Sequence, residues 1–376
     1  MDGERLKVAS VETIRVRAAL SEPRGPSMFT YHRRESLFIK VTSDDGVVGW
    51  GETYAMAGTR AAIDDVLGPL LIGRDPCAAR TLRQEMLSAT FSNGVAVGGL
   101  DIALDDLRGK ALGVPVHVLY GGALRTRVEA YASLPGYYLD RGPEHHWLDE
   151  TTALVERGFR GVKFRVGRYD PAQEVPLLTR VRDVVGADVR LMADANAAYS
   201  PALAARAARG LTDLGFEWLE EPLPQSGYLG YPDLRTRLDL PLAGGEGLMT
   251  RPAAWETLQR GCFDIIQPDV SICGGIAECL FIGDLARLSA VRCIPHCWAG
   301  GITLAATLHL AALLPEPTRL PGTDAPLLEF DVTENPFRDD LIAGDPFQLR
   351  EGFVEVPTAP GLGVEIDEDA FRRYTV

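Results

Sequence analysis

The spacing of apolar positions changes character along the chain. Residues 7–19 and 35–43 alternate apolar with polar positions, the period of half-buried strands. Asp44-Asp45-Gly46, just before Val47-Val48-Gly49-Trp50-Gly51, carries a hairpin-turn signal, so the pattern predicts an opening antiparallel sheet. Residues 21–34 are rich in Pro, Gly, Ser, Tyr, His and Arg. Too long for a tight turn and too polar for a core, they read as a mobile lid. Helical periods follow over 59–71, 76–88 and 98–112. In the last, Leu100, Ile102 or Ala103, Leu104 and Leu107 recur on one face. Asp101 and Asp105 share another face and read as a solvated or salt-bridged flank rather than a metal site. Gly113 and Pro115 end that helix, and strands followed by helices make an α+β module of about 120 residues.

From Arg127 onward strand and helix patterns alternate. Residues 128–133 are the first predicted strand, 134–138 its loop, and helical segments follow at 171–185, 201–214, 252–260, 275–290 and 301–314. Proline at or near several helix starts fits the first-turn preference. Residues 326–330 supply a last strand, and the strand-like pieces 353–357 and 361–366 are expected to return to the first module.

Each intervening apolar run ends in a residue that can bind a metal or move a proton. Lys163-Phe164-Arg165 comes first, then Asp194, Glu220, Glu246, Asp269 and His296, the last five at intervals of roughly 23 to 27 residues, about one strand plus one crossover helix. Parallel strands in a barrel deliver such ends to one face. Asp194, Glu220 and Glu246 are an all-oxygen set suited to a hard cation such as Mg²⁺. Glu221 points away from Glu220, because strand neighbours face opposite sides, and is expected behind the ligand position. Asp269 on the strand beside His296 orients the imidazole as a general base. Lys163 and Arg165, two apart, both face inward, where they would hold a substrate carboxylate and stabilise an enediolate; Phe164 faces the helices. No Ser or Cys occupies a nucleophile motif such as GxSxG.

Composition narrows the partners. The 376 residues are 46% hydrophobic and 24% charged, with a net charge of −14, which disfavours nucleic acid and anionic membranes and leaves a small molecule as the partner. The N-terminus lacks a signal-peptide core, and the longest apolar stretch, near 302–314, is too short to span a bilayer, so the cytoplasm is expected. Six scattered cysteines read as reduced thiols. Cys293, His296 and Cys297 lack a second close pair to complete a zinc site.

These residues resemble the enolase superfamily, mandelate racemase subgroup (the mandelate racemase/muconate lactonizing enzyme family), over nearly the whole chain. Carrying the resemblance are Gly49-Trp50-Gly51-Glu52, Asp194, Glu220-Glu221-Pro222, Gly244-Gly245-Glu246, the Asp269 and His296 dyad, and 361–366. It implies a modified (β/α)₇β TIM barrel over 126–340. An α+β capping domain with the lid would occupy 1–125, and 341–376 would return to it. It further implies Mg²⁺ at Asp194, Glu220 and Glu246, His296 as base, Glu329 near the substrate carboxylate or enolate, and a homo-oligomer. One position departs: the subgroup's usual Lys-x-Lys is Lys163-Phe164-Arg165 here. A guanidinium deprotonates with difficulty, so two-base racemisation is disfavoured and β-elimination of water is not. Residues 328–338 with Cys273-Gly274-Gly275 look similar to sugar-acid enzymes, including aldarolactone cycloisomerases. The expectation is an acid-sugar dehydratase, with a cycloisomerase or racemase/epimerase as alternative. A non-catalytic binding or structural barrel is a third class, against which the complete acid set argues. Tyr31, His32, Arg33, Tyr54, Tyr137, Asn196 and Trp298 are the candidate substrate contacts.

Overall fold

In the computed structural model the alternating N-terminal residues form β1 (Val8–Gly25), β2 (Tyr31–Ser43) and β3 (Val48–Thr53), each antiparallel to the next. The structure describes residues 6–134, 136–226, 228–318, 322 and 324–376. Residues 1–5, part of the segment read for a signal peptide, lie outside that set, as does Pro135 of the loop expected after the first barrel strand. The turn between β2 and β3 forms where expected, with Gly46 at φ 89°.

The lid expectation needs correction. β1 runs to Gly25 and β2 begins at Tyr31, so only residues 26–30 form a loop, and Arg24 pairs with Tyr31 beyond an irregularity after Ala19. Ser21 is fastened to Glu334 through its amide at 2.9 Å and its hydroxyl at 2.6 Å. Backbone pairing and this distant carboxylate absorb the polar groups that made the segment look like a free loop.

Helix Gly94–Leu112 starts at Asn93, whose side chain accepts from the Ala96 amide, and stops at Gly113 in a left-handed conformation. It lies on β3 through glycines: a Cβ on Gly51 would sit 2.0 Å from the Gly99 carbonyl oxygen. Asp101 and Asp105 are salt-bridged but not solvated. Both are buried, Asp101 at 2.9 Å from Arg83, and Asp105 against Arg108 and 2.7 Å from the Tyr120 hydroxyl. Glu52 on β3, fully buried, reaches across to the barrel. It accepts from the amides of Gly300 at 2.8 Å and Thr303 at 3.1 Å, at the start of helix Gly301–Leu313, and from the Ser36 hydroxyl at 2.8 Å. A carboxylate there meets unpaired helical N–H groups.

β4 (Arg127–Ser133) opens the barrel. β5 (Tyr137–Tyr138) is lent back to β1, giving the first sheet the order β3-β2-β1-β5. The barrel continues with β6 (Gly161–Arg165), β7 (Arg190–Asp194), β8 (Phe216–Glu220), β9 (Leu242–Gly244), β10 (Ile265–Ile266), β11 (Arg292–Cys293) and β12 (Leu328–Asp331). All are parallel, in the order β11-β10-β9-β8-β7-β6-β4-β12. Helices connect them, including Trp147–Glu156, Pro171–Val185, Pro201–Asp213 and a five-residue turn of helix at Tyr231–Arg235 that the periodicity did not predict. The architecture is a modified (β/α)₇β barrel beside a separate sheet. Tyr131, Met192, Trp218, Ala243, Ile265, Ile294 and Leu327 pack together as one small core cluster.

The C-terminal pieces divide. β13 (Phe353–Glu355) pairs antiparallel with β4 of the barrel instead of returning to the first sheet. The rest does return: Gly361 bridges Pro115, and in helix Glu368–Tyr374 Phe371 packs on Phe38 and Trp50. No helix among the described residues is long and apolar enough to cross a membrane.

Candidate active site

Register sets the first three strand ends level. Arg165 pairs with Asp194 across β6 and β7, and Asp194 with Glu220 across β7 and β8. Lys163 and Arg165 face inward while Phe164 packs edge-on to Trp147 with ring centroids 5.5 Å apart, as strand alternation predicts. Lys163, fully buried, has its Nζ 2.7 Å from Glu220 Oε1 and 2.8 Å from Glu329 Oε1. Arg165 contacts the Asp194 carboxylate and lies 3.4 Å from Asn196 Oδ1. Glu220 also accepts from Trp218 Nε1 at 3.2 Å and Gln267 Nε2 at 2.8 Å.

On the other side of the barrel, five places along the strand order from β6, His296 follows β11. Its Nδ1 is 2.8 Å from Asp269 Oδ2 and its Nε2 3.3 Å from Glu246 Oε2. The other oxygen of Asp269 accepts from the Ser271 amide and hydroxyl at 2.7 and 2.6 Å, which fixes the carboxylate against the ring. Burial alone would lower the His296 pKa, but Glu246, Glu329 and the Asp269 hydrogen bond raise it to about 10. Burial would likewise raise Glu329, yet Lys163, His296 and Arg165 hold it well below the carboxylate range. Glu221, pushed up to about 8 by burial and then by Glu246, was expected behind the ligand position but lines the cavity beside Glu246. It takes hydrogen bonds from the Tyr228 hydroxyl at 3.1 Å and the Gly245 amide at 3.3 Å.

As these side chains stand, the described residues contain no cluster of three His, Cys, Asp or Glu gathered as a metal cage. Asp194 is turned to Arg165, Glu220 to Lys163 and Glu246 to His296. The donor chemistry nevertheless fits a hard divalent cation. Among the described residues, the ion pairs of Asp194, Glu220, Glu246, Asp269 and Glu329 are with Lys163, Arg165 and His296, so this cluster, buried except for the partly open Glu246, has more acids than cations.

The chain matches two family models. Residues 8–121 match the mandelate racemase / muconate lactonizing enzyme N-terminal domain, and residues 147–370 the enolase C-terminal domain-like family. The chain belongs to the mandelate racemase/muconate lactonizing enzyme family of the enolase superfamily. It is 34% identical to a D-galactarolactone cycloisomerase of Agrobacterium fabrum over 98% of this chain and 99% of that one. It is also 34% identical to an arabinonate dehydratase of Saccharolobus solfataricus, over 91% of each. The L-talarate/galactarate dehydratase of Salmonella typhimurium, solved with Mg and L-lyxarohydroxamate, superposes with a TM-score of 0.87 at 27% identity, covering 99% of this chain and 94% of that one.

In this family member Arg165, Glu246, His296, Tyr31, Tyr54, Asn196 and Trp298 all line one cavity of about 380 Å³. Tyr54 places its hydroxyl 3.3 Å from both Asp269 Oδ2 and the Trp298 carbonyl oxygen. Trp298 stacks on Tyr31 at 4.8 Å. Asn196 at φ 46° donates its amide to Asp194 Oδ1 at 2.8 Å. His32 and Arg33 do not reach this cavity. They line a second hollow of about 550 Å³ behind the wall made by Tyr31, Arg34, Tyr54 and Trp298, and Arg33 pairs with Glu35 at 2.6 Å. Tyr137 turns away as well: buried, it donates to Glu174, which also accepts from the Gly167 amide at 2.9 Å.

Sequence reasoning missed Gln267, Arg34 and Thr333. Gln267 had a usable signal, since it stands two before Asp269 and shares Ile266-Gln267-Pro268-Asp269. Arg34, stacked over Trp298 at 4.6 Å and paired with Asp331 and Thr333, depends on contacts from the far end of the chain that no local pattern shows.

Proposed function

We propose that the protein is a Mg²⁺-dependent acid-sugar dehydratase: it removes the proton α to the carboxylate of a sugar acid and expels the β-hydroxyl. The observation that carries this is the asymmetry of the site. A histidine held by a carboxylate faces the cavity from one side of the barrel, and an arginine replaces any second base on the opposite side.

Asp194, Glu220 and Glu246 would hold Mg²⁺, which would offset their charge and stabilise the negative charge developing on the substrate carboxylate. Glu246 is the leading upward influence on the His296 pKa, so its engagement with the cation would favour the neutral imidazole a base needs. Nε2 takes the α-proton while Asp269 holds Nδ1–H and stabilises the imidazolium. Lys163 and Arg165 stabilise the enediolate electrostatically, and Glu329 holds Lys163 in place. His296 then returns the proton to the departing β-hydroxyl, and water leaves. Tyr31, Tyr54, Asn196 and Trp298 form the walls against the sugar chain. We take the setting to be the cytoplasm and the assembly a homo-oligomer.

The 34% identity over 98% of the chain to a galactarolactone cycloisomerase supports a second reading within the same half-reaction, in which the leaving group is a ring ester oxygen. A panel of aldonates, aldarates and aldarolactones incubated with Mg²⁺ in D₂O and followed by NMR separates the two. Loss of one water from an open-chain acid to give a 2-keto-3-deoxy acid marks dehydration, and conversion of a lactone into an isomeric, ring-opened 2-keto-3-deoxy diacid marks cycloisomerisation. Absence of both product and α-deuterium exchange with every compound would sink the proposal.

A further inference from the structure

The cavity mixes polar and apolar groups. Arg165, Asn196, Glu246 and His296 lie at or beside the barrel strand ends, and Leu20, Phe29, Met56, Met249 and Ile272 are among the apolar residues of the remaining lining, which also carries the polar side chains of Gln225 and Thr333. Three of these five are large apolar side chains left open to solvent: Phe29 is 50% exposed, Met56 48% and Met249 40%. Exposed apolar groups around a concave site mark the place where an apolar part of a ligand is covered.

The cations in the same lining are already committed. Arg34 pairs with Asp331 in a buried contact and lies over Trp298. Arg24 pairs with Glu22 at 3.1 Å, donates to the Tyr138 hydroxyl at 3.1 Å and lies over that ring at 4.5 Å. Arg165 belongs to the reacting end through Asp194. Glu221 and Glu246 add acidic groups to the wall. A second carboxylate on the substrate would thus meet thioether, phenyl and aliphatic surface without an unpaired cation among the described lining residues, and would lose part of its hydration without a charge to compensate it.

We infer that the site selects monoanionic sugar acids whose end remote from the reacting carboxylate is deoxygenated or ring-closed, and discriminates against the corresponding dicarboxylates. The inference rests on the reading of Arg165 and His296 as the reacting end. Leu20, Phe29, Met56 and Met249 would then pack against a terminal methyl group or the C–H face of a ring.

The test compares ligands identical at C2 to C5 that differ only at C6: 6-deoxygalactonate (methyl), galactonate (hydroxymethyl) and galactarate (carboxylate), with the manno series alongside. Binding is measured by calorimetry in Mg²⁺ on the His296→Asn variant, so the order is read without turnover and is independent of whether the wild type dehydrates or cycloisomerises anything. The deoxy acid is expected to bind at least tenfold more tightly than the diacid. Met249→Arg and Met56→Arg, each at an exposed side chain, should each shift that ratio at least tenfold toward the diacid. A diacid that binds as tightly as the deoxy acid, or a ratio that neither arginine variant moves, overturns the inference. Failure of the functional reading shows elsewhere, as absence of product from the wild type.

Discussion

Lys163 stands against both carboxylate oxygens of Glu220, at 2.7 and 2.8 Å, with no part of its side chain open to solvent. A buried ammonium in that position is bound to its acids more than it contributes net stability, because desolvation offsets much of the attraction. Its removal is another matter, since the acids are left behind without it. Lys163→Met is expected to lower the unfolding free energy of chelator-treated protein by about 3–5 kcal/mol, the range for breaking a buried pair. Urea denaturation with EDTA present measures this, and an unchanged midpoint would show that the acids find other partners.

The His296–Asp269 pair makes a prediction about chemistry rather than folding. His296→Asn should reduce α-proton exchange and turnover by about 10²–10⁴-fold, the span of general-base catalysis, with the circular dichroism spectrum unchanged. Asp269→Asn should act in the same direction, with kcat reduced more than KM is raised, because Asp269 is buried against His296 and does not line the cavity.

Arg165 makes a stereochemical one. If His296 is the one base, as proposed, substrate recovered after partial turnover in D₂O should carry deuterium at the α-carbon with its configuration retained, because a guanidinium on the opposite face deprotonates with difficulty. Recovery of the α-epimer, seen by NMR, would show a second base.

Removing the cation should stop turnover without unfolding the chain, since Lys163 and Arg165 already neutralise Glu220 and Asp194. Dialysis against EDTA should abolish activity, and added Mg²⁺ should restore it and raise Tm by mass action.

A fifth expectation lies away from the site. His309 is fully buried, with Nε2 donating to the Leu362 carbonyl at 3.2 Å and Nδ1 3.1 Å from His117 Nδ1. Burial pushes its pKa down to about 4. The unfolded chain therefore binds the proton first as pH falls, and stability is lost from about pH 6.5 down to 4, by up to about 3 kcal/mol. His309→Asn should flatten that limb of an unfolding free energy against pH curve.

Much of the barrel was legible because its signals are local. A strand, a chemical end residue and a crossover helix fit inside one short window, so Asp194, Glu220 and Asp269 announced themselves, and alternation alone turned Lys163 and Arg165 inward. What failed depended on pairing or on distant partners. Residues 21–34 read as a lid because nothing nearby reveals Glu334, or the strand register that zips Arg24 to Tyr31. Tyr31, His32 and Arg33 looked equivalent in sequence, yet Tyr31 faces the cavity and the other two the hollow behind it. Tyr137 sits at a strand end where a substrate contact was expected, and Glu174, from helix Pro171–Val185 beyond β6, claims its hydroxyl. The 353–357 piece, expected to return to the first module, pairs with β4 of the barrel instead, because short strands carry no mark of which edge they will join.

The carboxylate of Glu52 gives the two halves of the molecule a common fate. It closes the start of the barrel's last helix from a position 248 residues earlier in the chain. A chimera that swaps the N-terminal sheet to import another relative's cavity wall must therefore import an acid at this place too. Otherwise the Gly300 and Thr303 amides are buried without an acceptor, at about 1–3 kcal/mol each. The N-terminal sheet and the helix that completes the barrel are thus tied through one carboxylate, so a change at either end of that contact is felt at the other.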